Sequence, residues 1–187
     1  MKKAYLIHGW GGDSKNHWFP WLSKELTKKG FHVKSFDMPD TENPKIEKWV
    51  KHMEKNISSD ELDENTYFVG HSIGCQTIMR YLEKLPKQKQ IGGCVFVAPW
   101  LNLNNLEPED TAIAHPWINT KIDFERIKRH TSNILCLFSD NDTYDNLSDS
   151  EIFKDKLGAK IILKHNHGHF TSDDGVEKIP EILDFIK

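Results

Sequence analysis

Six short runs of β-branched and aromatic residues, each followed by an amphipathic stretch, constrain this chain more than any other feature. "AYLIHG" near the start, "FHVKSFDMP" from Phe31, "TYFVGHS" from Thr66, "GCVFVAPW" from Gly93, "NILCLFSD" from Asn133 and "AKIILKH" from Ala159 all read as strands. Between them, apolar residues recur at helical spacing. Ile46, Trp49, Val50, Met53 and Ile57 share one face behind Asn43 and Pro44, which read as cap and first helical residue. Ser148 and Glu151 form a capping box ahead of a buried stripe of Ile152, Phe153 and Leu157. Cys75, Ile78, Met79, Leu82 and Leu85 form another inward stripe, which stops at Pro86. Strands separated by single helices cannot pair as hairpins, and right-handed crossovers align them in parallel under helices on both faces. The expected fold is therefore α/β: a three-layer α/β/α sandwich around a mostly parallel six-stranded sheet, with residues 1–187 forming one domain. Ligands of such sheets bind beyond the strands' carboxyl ends where strand order reverses, expected here between the first and third strands.

The residues just after those two strands carry the chemistry. The third strand runs into "GHSIG", Gly70 to Gly74, a G-x-S-x-G pattern between strand and helix, the context in which it forms a nucleophile elbow. An abrupt strand-to-helix turn brings backbones together, so Gly70 and Gly74 avoid collisions that a Cβ would cause. Ser72 is expected at the tip, in a strained backbone conformation, with its hydroxyl above the sheet. The first amides of the following helix lack intrahelical partners, which makes the Ile73 N–H an oxyanion donor. "HGWGG", His8 to Gly12, reads as a flexible turn after the first strand that aims the Trp10 N–H at the same point.

A serine hydroxyl is a poor nucleophile until a base takes its proton. "SDNDTYD" after the fifth strand and "HNHGHF" after the sixth supply a carboxylate and then an imidazole, in the order Ser, Asp, His. Asp142 and His169 are the preferred pair. Asp140 and Asp145 stay open as alternatives for the acid, and His165 and His167 for the base. Gly168 favours His169, because it permits a tight turn that points the ring toward Ser72. His71, inside the elbow, reads as a packing residue beneath the turn. His165, His167 and His169 alternate and on a strand would share a zinc-binding face, but Gly168 implies that the strand has ended. The reading is that no metal or cofactor is used.

At these positions the sequence resembles the α/β-hydrolase superfamily and, in its small size, the lidless serine hydrolases in the family of retinoblastoma-binding protein nine and its bacterial relatives. The resemblance covers nearly the whole chain through "HGWGG", "GHSIG", the "SDND" loop and "HGHF". It implies a minimal α/β-hydrolase fold without a large lid and carboxylester hydrolysis on small acyl substrates, and the leading reading is hydrolysis of small carboxylic esters or thioesters. Its pattern assigns oxyanion loop, nucleophile, acid and base to Trp10, Ser72, Asp142 and His169. The chain departs from that pattern at Phe138, where the family often has a small residue, and at Asp145, usually apolar. The resemblance also implies that some relatives act chiefly through protein contacts. A protein-interaction module on a catalytically weak scaffold is thus the competing reading.

Charge narrows the partners. Twenty-five Lys and Arg against 28 Asp and Glu give a net charge of −3 without long blocks of either sign, so nucleic acid and anionic membranes have no electrostatic support. Small acyl esters or a protein partner remain. The apolar part of "MKKAYLIHGWGG" is too short for a signal peptide, and no segment is long enough to span a bilayer. Cys75, Cys94 and Cys136 read as reduced thiols packed as small hydrophobes, so the expected location is cytoplasmic. Trp18, Trp21 and Trp49 read as core. Trp100 and Trp117 bracket "LNLNNLEPEDTAIAHP", read as the longest irregular stretch, and are candidates either to line an acyl pocket or to anchor that loop. With two prolines it is expected to be too short for a helical lid, leaving a shallow site.

Overall fold

In the computed structural model, which describes residues 1–144 and 147–187, the six runs form β1 (Lys3–Ile7), β2 (His32–Phe36), β3 (Thr66–His71), β4 (Gly93–Val97), β5 (Ile134–Ser139) and β6 (Lys160–Lys164). The helices are α1 (Phe19–Lys28), α2 (Ile46–Asn56), α3 (Ile73–Leu82), α4 (Pro108–Asn119), α5 (Phe124–Lys128), α6 (Asp149–Leu157) and α7 (Pro180–Phe185). Sheet order is β2-β1-β3-β4-β5-β6, and every neighbouring pair is parallel. Strand order reverses between β1 and β3, as expected, and the pairing of Ile7 with Gly70 brings their carboxyl ends level.

Side-chain alternation sends each strand's residues to two cores. On one face, Phe68 packs with Trp49, Met53, Ile78, Met79 and Phe153 from α2, α3 and α6. On the other, Tyr67 and Val69 pack with Phe19, Leu22 and Leu26 of α1 and Ile182 of α7. Trp18 and Trp49 are fully buried and Trp21 packs against the second cluster, as core tryptophans should. All three cysteines are buried thiols outside any disulfide, and burial pushes the Cys94 and Cys136 thiols well up, which keeps them protonated and inert. Among the described residues, no helix is long and apolar enough to cross a membrane.

Three local expectations need correction. Helix α2 starts at Ile46, with extended Lys45 as its cap, not at Asn43 and Pro44. The Pro44 carbonyl is instead committed to the Trp117 indole N–H at 3.0 Å. Helix α6 follows Ser148, but Ile152 is exposed and the buried stripe is Asp149, Phe153 and Leu157, four residues apart. The stretch between Trp100 and Trp117 is not irregular throughout, since α4 occupies its second half. Pro108 sits in the first turn of α4, where its missing N–H costs nothing. Only Ala114 and Trp117 of α4 are buried, so it carries no apolar stripe for periodicity to reveal.

Candidate functional site

Between β3 and α3 the chain reverses direction through one residue. Ser72 has φ 52° and ψ −122°, a conformation strained for any residue with a Cβ. Its amide is bonded to the Val97 carbonyl at 2.9 Å, and its carbonyl accepts from Cys75 N at 2.9 Å, which hold the turn from both sides. The flanking glycines let the elements meet. A Cβ on Gly74 would lie 2.3 Å from the Ile7 carbonyl oxygen, and one on Gly70 would lie 2.8 Å from the Cys75 amide nitrogen. The first turn of α3 therefore abuts the end of β1, with the Ile73 amide at the helix N-terminus.

The "HGWGG" segment is pinned rather than flexible. Gly11 N bonds the Thr41 carbonyl at 2.9 Å, and the Trp10 indole N–H bonds the Glu42 carbonyl at 3.2 Å. His8 ties the ends of β1 and β2 together, donating from Nδ1 to the Gly9 carbonyl at 2.7 Å and accepting from Met38 N at 2.9 Å through Nε2. Burial lowers its pKa, in keeping with the neutral ring this pairing requires. Among the described residues, neither the Trp10 nor the Ile73 amide has a backbone acceptor.

The two C-terminal loops meet at the same end of the sheet. His169 Nδ1 lies 2.7 Å from Asp142 Oδ2; the carboxylate is 2% exposed and the imidazole 16%. In a neutral ring that pairing assigns the lone pair to Nε2. The rivals separate from this pair. Asp140 binds His165 at 2.5 Å, and that imidazole is 78% exposed. His167 turns its Nδ1 to the His165 carbonyl at 2.8 Å. The three histidines thus go three ways, and among the described residues no group of three His, Cys, Asp or Glu is arranged to hold a metal ion. Asp145 lies outside the described residues.

A cleft of about 370 Å³ joins these parts. It is lined by Ser72, His169, His71, Trp10 and Gly9, together with Leu103, Leu106, Asp110 and Tyr144, whose ring lies 5.4 Å from that of His169. The segment leading into α4 and its first turn thus supply a rim, where a bare loop was expected. Trp100 is buried beneath it, its indole N–H 3.2 Å from Ser72 Oγ. Trp117 does not line the cleft. It is an anchor, fully packed, with its ring 6.1 Å from that of Trp49.

His71 does more than pack. Its Nε2 lies 2.8 Å from the His169 carbonyl, an acceptor only, so the hydrogen is on Nε2 and the bond holds the His169 loop against β3. Burial, with His169 nearby, pushes its pKa well below the usual histidine value, so the ring stays neutral.

Several other supporting residues were not legible in the sequence. Asn141 Oδ1 accepts from Gly168 N and from Ser139 Oγ, both at 2.8 Å, joining the acid and histidine loops. Asp174 accepts from His169 N at 2.9 Å and from Thr171 N at 3.0 Å, closing the turn around His169. Gly168, at φ 50°, is required there because a Cβ would lie 2.0 Å from Asp174 Oδ1. Thr171 and Asp174 have the spacing of a capping box, the one signal that could have revealed them. Asp149, 1% exposed, accepts from Leu101 N and Asn102 N at 2.7 and 3.1 Å and so anchors the segment after Trp100.

The relatives agree with this architecture. The chain is 31% identical to YdeN of Bacillus subtilis (strain 168) over 186 residues, covering 99% of this chain and 94% of that protein. It is 28% identical to the serine hydrolase RBBP9 of Rattus norvegicus, covering 95% and 91% of the two chains. The crystal structure of the B. subtilis ydeN gene product superposes with a TM-score of 0.88 at 29% identity, covering 98% of this chain and 96% of that one. Est1E from Butyrivibrio proteoclasticus, solved with ferulic acid bound, matches with a TM-score of 0.73 at 16% identity over 100% of this chain and 90% of that one, a likeness of fold alone. The serine hydrolase family model matches residues 4–187, nearly the whole alternating pattern, and the chain therefore belongs to the serine hydrolase family.

Proposed function

We propose that the chain hydrolyses small carboxylic esters or thioesters, with Ser72 as nucleophile on an elbow, His169 as base and Asp142 as its orienting acid. The observation that carries this reading is the part-buried Asp142–His169 pair, 2.7 Å apart, with His169 lining the cleft that contains Ser72. Nε2 of His169 takes the Ser72 hydroxyl proton as Oγ bonds to the acyl carbon, and the carbonyl π pair moves onto the substrate oxygen. The Ile73 and Trp10 amides face that oxyanion, helped by the positive end of the α3 dipole. The leaving group departs with the proton from His169, and water then repeats the sequence to free the acid. No cofactor enters this route.

Leu103, Leu106 and Tyr144 offer an apolar wall to a short acyl or alcohol group, and the cleft volume is near the lower end for ligand pockets. The same reading takes residues 1–187 as one catalytic domain working in a reducing cytoplasm, in line with its three buried thiols outside any disulfide. The test is a fluorophosphonate probe followed by peptide mapping, together with p-nitrophenyl ester turnover. We expect an adduct on Ser72 and, for Ser72→Ala, a loss of turnover of at least roughly 10³-fold with the fold retained. Folded protein that takes up no probe would overturn the hydrolytic reading in favour of a scaffold that acts by binding other proteins.

A further inference from the structure

We infer that Trp100 is a catalytic residue: its indole N–H is a hydrogen-bond donor dedicated to the nucleophile oxygen itself, separate from the two amides that face the substrate oxygen. This rests on the reading of Ser72 as nucleophile. The contact is 3.2 Å from Trp100 Nε1 to Ser72 Oγ, and Trp100 is 1% exposed, so water does not compete for the indole N–H. Indole N–H can only donate. Ser72 Oγ must therefore accept, which leaves its own hydrogen free to turn from Trp100 into the cleft that His169 also lines.

The donor is held in place by a buried relay. Gln76 Nε2 donates to the Trp100 carbonyl at 3.1 Å, and Gln76 Oε1 accepts from Arg80 Nη2 at 2.9 Å. The same Arg80 nitrogen reaches the Trp117 and Thr120 carbonyls, each at 2.9 Å, at the end of α4. Gln76 and Arg80 lie one and two turns into α3, the helix that begins beside Ser72. Nucleophile and donor are thus mounted on one rigid element, a degree of pre-organisation that simple packing of an indole would not need.

The bond strengthens where the reaction needs it. As the proton passes from Oγ to His169 Nε2, negative charge grows on Oγ and the contact becomes charge-assisted. Once Oγ is esterified it is a weak acceptor, and the contact is at its poorest. When water has added and the acyl carbon–Oγ bond breaks, the electron pair returns to Oγ, which recovers the Trp100 bond while taking back a proton from His169. Both chemical steps gain from the donor, and the acyl-enzyme between them does not.

The test compares wild type, Trp100→Phe and Trp100→3-benzothienylalanine, which replaces the indole N–H by sulfur with almost no change of shape. For each, the rate of fluorophosphonate labelling is measured with the adduct mapped, together with p-nitrophenyl acetate turnover. A hydrogen bond to a charged group predicts a fall of about 10- to 100-fold in both rates for both variants, with labelling still at Ser72. Should Trp100→Phe fail to fold, the isosteric variant decides alone. A benzothienylalanine variant that keeps the wild-type labelling rate overturns the inference while leaving the hydrolase reading intact. An unlabelled wild type overturns both.

Discussion

Replacing Gly74 with alanine tests the close approach of α3 to β1 on which the Ser72 turn depends. The new methyl would start 2.3 Å from the Ile7 carbonyl oxygen and 2.6 Å from that of His8, where ordinary contact begins at 3.4 Å. The helix must therefore withdraw by roughly 1 Å, and neither obstacle is a flexible side chain. Ile7 ends β1 and is paired on both sides, with Phe36 and with Gly70, so the strand cannot yield cheaply. Overpacking a rigid interior costs about 1–3 kcal/mol, and with backbone on both sides we expect about 3 kcal/mol. For a domain of this size that lowers Tm by roughly 6–12 °C. Gly158→Ala is the control: its φ is 65° and nothing lies within 4 Å of the added methyl, so only the left-handed backbone is penalised, by about 1 kcal/mol. Urea unfolding followed by the fluorescence of buried Trp18, Trp49, Trp100 and Trp117 measures both. Ser72 labelling of the folded protein should also slow in Gly74→Ala alone, because the displaced turn carries both Ser72 and the Ile73 amide. A Gly74→Ala midpoint no lower than that of Gly158→Ala would refute the steric argument.

The choice of acid can be tested by pairing two isosteric changes. Asp142→Asn should lower ester turnover by roughly 10⁴-fold, through loss of the histidine tautomer and of imidazolium stabilisation. Asp140→Asn, whose partner is the exposed His165, should stay within about threefold; equal losses would return Asp140 to the role. Acid should weaken the fold through its neutral histidines. Burial holds His8 and His71 below the ordinary value of 6.5, so below that pH the unfolded chain binds protons that the folded chain refuses. Their contribution is complete above pH 6.5 and falls as pH drops toward the folded values, by up to about 1.4 kcal/mol per pH unit for each. The urea midpoint should therefore drop between about pH 7.5 and about pH 5.5, with a shallower slope in His71→Gln; a midpoint that rises on acidification would show that these rings are charged in the fold.

The local patterns were legible because each depends on a few contiguous residues. Alternating strand and helix periods leave a parallel sheet as the outcome, and "GHSIG" placed after β3 specifies a turn that only small residues can make. The α4 helix was missed because its two buried residues, Ala114 and Trp117, leave no periodic stripe. Local patterns do not say which of three alternating histidines turns inward, or which carboxylate meets it. Those depend on Asn141 bridging to Gly168 and on Asp174 closing the His169 turn around a residue at φ 50°. His71 reads locally as a packing residue, and its bond to the His169 carbonyl joins positions 98 apart. The sequence is compatible with Trp100 as pocket wall or as anchor, and the direction of its N–H toward Ser72, 28 residues distant, exists only after β3 and β4 have paired. The amino-acid order by itself determined the layers, the reversal point and the tight strand-to-helix turn, since short-range sterics and hydrophobic period act within one element. Only tertiary structure decided the pairing of hydrogen-bonding groups at the cleft, since each bond there joins elements that sheet formation brings together.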